Sequence, residues 1–135
     1  MLQIYFLSIF LNALAGYVLI SREEGGIHEL IKAFNLKEET FRLALGILTA
    51  GVGLFKLLSP IDGDVPVVGD LVPAAAGLLA GFIMIFEYYR SRSTLDDTEH
   101  TQKINRVFIG NKKIIGITAL VAAVLHFIFP RVLLL

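Results

Sequence analysis

Four ionisable residues lie inside or beside long apolar runs of this 135-residue chain, where a charge is costly. They are Lys56, Glu87, His126 and Arg131. Because Lys56 and Glu87 fall near opposite ends of their predicted helices, we expect them to reach opposite membrane surfaces rather than to pair. His126 has two interpretations: it pairs with an outer acidic residue or a carbonyl group, or it relays a proton.

A second set of reactive side chains lies between residues 59 and 73, in a tract rich in Pro, Gly and Asp. Asp62, Asp64 and Asp70 have no basic residue beside them there. One interpretation is an external mouth that attracts cations, since carboxylate oxygens suit hard metal ions. The other is that Asp64 and Asp70 cap helices while Pro and Gly form turns. Three Asp residues at this spacing match no calcium loop, so we predict neither a metal site nor a cofactor.

Motifs that would indicate catalysis are absent from the sequence. It has no nucleophile elbow, HExxH, P-loop or pair of catalytic carboxylates, and His28 and His100 lack metal-ligand spacing. Lys and Arg balance Asp and Glu at 12 each, so no basic face remains for nucleic acid. We therefore predict a protein that is not an enzyme, has no catalytic residues and binds no nucleic acid.

Long apolar helices must position these residues. Hydrophobic residues make up 56% of the chain and charged residues only 18%. A bilayer core of about 30 Å needs roughly 20 helical residues, and four segments meet that demand. We predict an all-α membrane protein whose single domain, residues 1–135, forms a four-helix bundle. The predicted spans are residues 4–20, 36–58, 71–89 and 114–130.

The distribution of Lys and Arg predicts the orientation of the spans. Ten of these residues lie in the loops that follow spans one and three, whereas the opposite side has only Lys56 and Arg131. The positive-inside rule places both loops in the cytoplasm and both termini outside. In a bacterium this would be a protein of the inner membrane.

A short amphipathic helix is predicted between spans one and two. Its apolar residues follow a spacing of i, i+3, i+4 and i+7, which gives one stripe that lies in the membrane interface. The helix either seals the base of the bundle or provides a docking surface for a partner. The stripe consists of Ile27, Leu30, Ile31 and Phe34.

Small residues recur at spacings that let helices approach closely, either within one bundle or between copies of the chain. Asn12 and Thr49 are the polar residues within the spans that we expect to add hydrogen bonds between helices. The small residues are Gly46, Ala50 and Gly53 in span two, Gly77 and Gly81 in span three, and Gly116, Ala119 and Ala123 in span four.

Together these patterns predict a structural or accessory subunit of a homo-oligomer or of a larger membrane complex, whose partners are the lipid bilayer and other membrane chains. The alternative is a small oligomeric channel or transporter with Asp62, Asp64 and Asp70 at its external mouth. A transport path needs polar residues at mid-membrane, and the spans supply few of them.

Overall fold

A computed structural model describes residues 2–21, 29, 32–33, 38–58, 70–94 and 98–129 of the chain. Within these ranges the protein is all-α and has no strand, as the sequence predicts. A five-residue π-helical segment, Asn105–Ile109, interrupts the helices of the second charged loop. The α-helices are α1 (Leu2–Ile20), α2 (Glu38–Leu58), α3 (Leu71–Arg92), α4 (Glu99–Ile104) and α5 (Lys112–Ile128).

Three of the helices are long and apolar enough to cross a membrane by themselves. They are α1, α2 and α3, and each contains a qualifying segment of 18 to 22 residues. The fourth predicted span is only partly matched, because α5 has 17 residues and is too short to qualify as a membrane span by itself. It reaches spanning length together with Glu99–Ile109, from which it is bent by 44°. The predicted interfacial helix, Ile27 to Phe34, has its apolar stripe outside the described residues.

The helices form a bundle with two extensive pairings, α1 with α5 and α2 with α3. The bundle is joined because α3 also contacts α1 and α5, while α1 contacts α2. Successive long helices run in opposite directions, so two ends can be distinguished. The first, called here the Lys56 end, collects the start of α1, the end of α2, the start of α3 and the end of α5. The second, the Glu87 end, collects the opposite termini.

Glycines allow the paired helices to approach one another closely. A Cβ atom at Gly81 would lie 2.6 Å from the carbonyl oxygen of Gly46. One at Gly116 would lie 2.9 Å from the carbonyl oxygen of Gly16. Both distances are too short for any side chain, so these small residues serve contacts within one chain. Gly53 and Gly77 are similarly confined, while Ala119 and Ala123 are buried in the core.

Candidate functional site

Four polar side chains meet at the Lys56 end, and we call them the Lys56 cluster. Lys56 lies in the last turn of α2, His126 in the last turn of α5, Asp70 just before α3, and Tyr5 near the start of α1. The Lys56 Nζ atom lies 2.6 Å from His126 Nε2 and 3.1 Å from Asp70 Oδ1. His126 Nε2 is 3.6 Å from the same Asp70 oxygen.

Burial makes these contacts obligatory rather than incidental. Lys56 is 5% exposed and His126 is 1% exposed, and a charge removed from water needs a partner nearby. An ammonium group at Lys56 donates its hydrogen to Nε2, which places the proton of a neutral imidazole on Nδ1. That Nδ1 atom has no hydrogen-bond partner among the residues that the structure describes.

Tyr5 fastens the end of α5 to the start of α1. Its hydroxyl donates a hydrogen bond of 2.7 Å to the carbonyl oxygen of His126, which lies in the last turn of its helix. Such carbonyls lack a helical partner and need an outside donor. The Tyr5 ring lies 4.7 Å from the His126 ring and 5.6 Å from Lys56 Nζ, so it also offers a cation–π contact.

Asn12 and Thr49, the two polar residues predicted to bond between helices, behave differently. Both are buried. Asn12 Nδ2 donates to the carbonyl oxygen of Pro73 at 2.9 Å, which links α1 to α3. Thr49 Oγ1 instead donates to the carbonyl oxygen of Leu45 in its own helix, at 2.7 Å. The expected bond from Thr49 to another helix is therefore not formed, because the backbone carbonyl one turn earlier satisfies the hydroxyl.

Asp70 occupies the N-cap position of α3, but its side chain makes no capping hydrogen bond. The carboxylate turns instead to Lys56 and His126. The expectation that Asp70 lacks a nearby cation was therefore wrong, because the fold brings Lys56 from the neighbouring helix. Asp62 and Asp64, the other members of the predicted acidic mouth, lie outside the described residues.

The opposite end carries a second group of charges, the Glu87 cluster, formed by Arg42, Glu87 and Lys112. Arg42 donates to Glu87 Oε2 at 3.1 Å, and Lys112 Nζ lies 2.8 Å from Oε1. Arg42 also donates to the carbonyl oxygen of Val18 at 3.3 Å. The cluster thereby joins all four long helices. Its side chains remain 18% to 39% exposed, so water shares in their solvation.

A cavity of about 990 Å³ opens beside the Glu87 cluster, between the ends of the long helices. Leu19, Ile20, Met84 and Ile109 form apolar parts of its wall, and hydroxyl groups come from Ser21, Tyr88 and Ser91. The charged lining residues are Glu39, Arg42, Glu87, Arg90, Lys112 and Lys113.

Several of these residues were not singled out from the sequence. Tyr5, Arg42 and Lys112 carry polar contacts at the two ends, yet none stands in a recognisable motif. Tyr5 offered the best signal, since a tyrosine near the end of an apolar span often sits where one side of its ring meets polar groups. Lys56 and Glu87 lie in separate clusters at opposite ends.

Among the described residues, no group of three or more His, Cys, Asp and Glu side chains is placed to hold a metal ion. The Lys56 cluster has only two such side chains, Asp70 and His126, and its other two polar groups are the ammonium of Lys56 and the hydroxyl of Tyr5. What the cluster can do chemically is hold opposite charges together and keep a hydrogen-bonded histidine inside the bundle.

The fold and its polar ends define a class: an all-α helical bundle with several helices that are apolar enough for membrane insertion. A protein-family model matches residues 1–126, and the chain belongs to that family. It is 30% identical over 137 residues to an uncharacterised protein of Treponema pallidum (strain Nichols), with 100% of each chain covered. No solved structure matches the chain.

Proposed function

We propose that this protein is a non-enzymatic integral membrane protein that acts as a structural or accessory subunit, assembled with further copies of itself through α2. The observation that carries the proposal is the unequal burial of the spans. Only 28% of the α2 span is buried within the chain, against 44% for each of α1 and α3. Helix α2 therefore leaves more of its surface uncovered for association than α1 or α3 does.

The outer face of α2 has the shape that helix association in a membrane needs. Gly51 has open space where a Cβ atom would lie, and large apolar side chains flank it. Leu48 and Phe55 are 58% and 61% exposed. A glycine notch between large residues lets a second helix approach closely and gain van der Waals contact that lipid tails do not provide. The other glycine contacts of α2 are already used within the chain.

Mass determination of the gently solubilised native protein tests this assembly. A mass that is a multiple of 14.9 kDa, after subtraction of bound detergent and lipid, would support a homo-oligomer. Co-purifying chains of other mass would support the accessory-subunit form of the proposal and identify the partner. A single chain in every mild detergent would contradict both forms.

A matched pair of substitutions locates the contact. Gly51→Leu fills the notch on α2. Val121→Leu instead enlarges a residue of α5 whose side chain is 51% exposed. We expect Gly51→Leu to shift the population to monomer and Val121→Leu to leave it unchanged. Equal effects, or none at Gly51, would remove α2 from the interface.

We also propose that the Glu87 end faces the cytoplasm and the Lys56 end, with both termini, faces outside, in a bacterial inner membrane. The excess of Lys and Arg at the Glu87 end supports this orientation. The chain has no cysteine, so single cysteines at Ser59 and Ser93 report topology without background. They should be labelled by an impermeant reagent from opposite sides, and labelling from one side would contradict the proposed orientation.

A small channel or transporter is the second candidate function. One observation favours it: buried polar side chains continue inward from the Lys56 cluster, namely Ser8, Asn12 and Thr49. Beyond them the core becomes apolar, with Leu45 and Met84 buried. The polar tract thus covers only part of the bundle, and we expect vesicles that contain the protein to conduct no cations. Cation flux that falls when Asp62, Asp64 and Asp70 are replaced by Asn would favour the channel instead.

A further inference from the structure

The π-helical segment, Asn105–Ile109, belongs to a loop that the sequence predicts to be cytoplasmic, yet it reaches the spanning part of the bundle. The ring of Phe108 packs edge-on against the ring of Phe82, with 5.3 Å between the two centroids. Phe82 lies within the span of α3 and precedes Glu87 by five residues. At a rise of 1.5 Å per helical residue, this places Phe82 about 7.5 Å deeper than Glu87. The segment therefore contacts α3 at membrane depth.

The surroundings of this contact are those of a span surface. Phe82 is 44% exposed, so it lies on the outside of the bundle, and its ring also stacks on Phe86 at 6.0 Å. The next residue of the segment, Ile109, shares the wall of the cavity with Met84 of α3. Two neighbouring side chains of the segment thus pack on α3 where lipid tails would surround it.

The backbone of the segment suits an apolar environment. Lipid tails offer no hydrogen bond to a carbonyl or N–H group, so each must find its partner within the protein. The N–H of Gly110 donates to the carbonyl oxygen of Asn105 at 3.2 Å, which closes the π-helical turn. The side chain of Asn111 donates to the carbonyl oxygen of Val107 at 2.8 Å and so supplies a partner where the turn ends.

Helix α4, which precedes the segment, has the opposite character. All its residues except the last are polar, and none is buried. Lys103 pairs with Glu99 at 3.1 Å, with their side chains 73% and 85% exposed. Val107, in contrast, is an apolar residue that is 55% exposed within the bundle. Helix α4 therefore suits water, whereas the outer side of the π-helical segment suits lipid.

We propose that the π-helical segment inserts into the leaflet at the Glu87 end, with Val107 among the acyl chains and Phe108 packed on Phe82, while α4 stays in water. The chain changes direction by 44° between this segment and α5, as expected where an interfacial segment meets a span. This contact with lipid tails rests on the proposed membrane insertion of the bundle and does not depend on assembly through α2.

Tryptophan fluorescence tests the insertion, because the chain contains no Trp and a single substitution reports one position. Val107→Trp is reconstituted in phosphatidylcholine vesicles, with and without lipids whose acyl chains carry bromine, a contact quencher. We expect a blue-shifted emission that brominated lipid reduces. An emission typical of water that brominated lipid leaves unchanged would overturn the proposal.

Two reference positions separate this outcome from failure of the bundle to insert. Val121→Trp reports an exposed residue of the α5 span, and Gln102→Trp reports an exposed residue of α4. We expect quenching by brominated lipid at Val121 and not at Gln102. Quenching at Val121 alone would overturn the insertion of the segment and leave the membrane bundle intact. No quenching at Val121 would contradict the membrane bundle itself.

A second measurement avoids the bulky indole ring. The chain has no cysteine, so Val107→Cys and Gln102→Cys can each carry one nitroxide spin label. We expect the label at Val107 to collide more often with oxygen, which concentrates in lipid, and the label at Gln102 with a water-soluble nickel chelate. The same collision pattern at both positions would overturn the division between α4 in water and the π-helical segment in lipid.

Discussion

The two ends of the bundle hold charge in opposite surroundings. At the Lys56 end, one ammonium, one carboxylate and one imidazole form a triangle that is almost closed to water. At the Glu87 end, one carboxylate lies between two cations whose side chains are 23% and 39% exposed. The difference predicts different energetics. Breaking a buried pair leaves an uncompensated charge, whereas a partly exposed group recovers much of its solvation from water.

The comparison also separates two structural roles. The Lys56 cluster is almost closed to water and joins the ends of four helices, which suits a role in fixing helix ends. The Glu87 cluster borders a cavity and stays partly exposed. The same chemical groups are therefore closed to water at one end and partly open to it at the other.

The largest effect is expected at the Lys56 end, for Asp70→Asn. This change keeps the shape of an N-cap residue, because Asn caps helices as well as Asp does. It leaves Lys56, which is 5% exposed, without this counter-ion. We expect the free energy of unfolding in detergent to fall by about 3 kcal/mol, as for other buried pairs that lose one partner. Reversible denaturant unfolding measures it.

The double variant Asp70→Asn/Lys56→Met supplies the control for that measurement. Removal of the ammonium as well takes away the charge that has lost this counter-ion, so most of the lost stability should return. A double variant as unstable as Asp70→Asn alone would show that the defect is not electrostatic. A loss below about 1 kcal/mol in the single variant would mean that water or another partner compensates Lys56, which would remove the contrast between the two ends.

Sequence alone predicted the helices well and the clusters poorly. Observed α2 and α3 begin or end within a few residues of the predicted spans, since apolar length and Pro or Gly breaks are local signals. Asp70 and His126 were each noticed, but 56 residues separate them, and no local signal fixes which helix faces meet. The sequence around Asp70 contains no basic residue, so it predicted an external mouth or a helix cap. The cation that pairs with Asp70 comes from another helix, and the local sequence does not indicate it.

The second-largest effect is expected at the close contact between α2 and α3 that Gly46 and Gly81 allow. In Gly81→Ala the new Cβ would lie 2.6 Å from the carbonyl oxygen of Gly46, so α2 and α3 must separate. We expect a loss of about 2 kcal/mol, typical of overpacking. Gly51→Ala, compared with Gly81→Ala under detergent conditions that keep both variants monomeric, is the matched control, because within the chain its Cβ meets open space and alanine favours a helix. Similar stability of the two variants would mean that α2 and α3 are packed less tightly at this contact than the structure indicates.

The smallest effect is expected at the Glu87 end, for Glu87→Gln. The carboxylate is 18% exposed and its partners more so, hence water replaces part of each lost contact. We expect the free energy of unfolding to fall by about 1 kcal/mol, at the upper end for exposed pairs. The difference from wild type should shrink in 1 M salt, where screening acts over about 3 Å, whereas the deficit of Asp70→Asn should persist. If both deficits respond to salt alike, the two ends do not differ in solvent access.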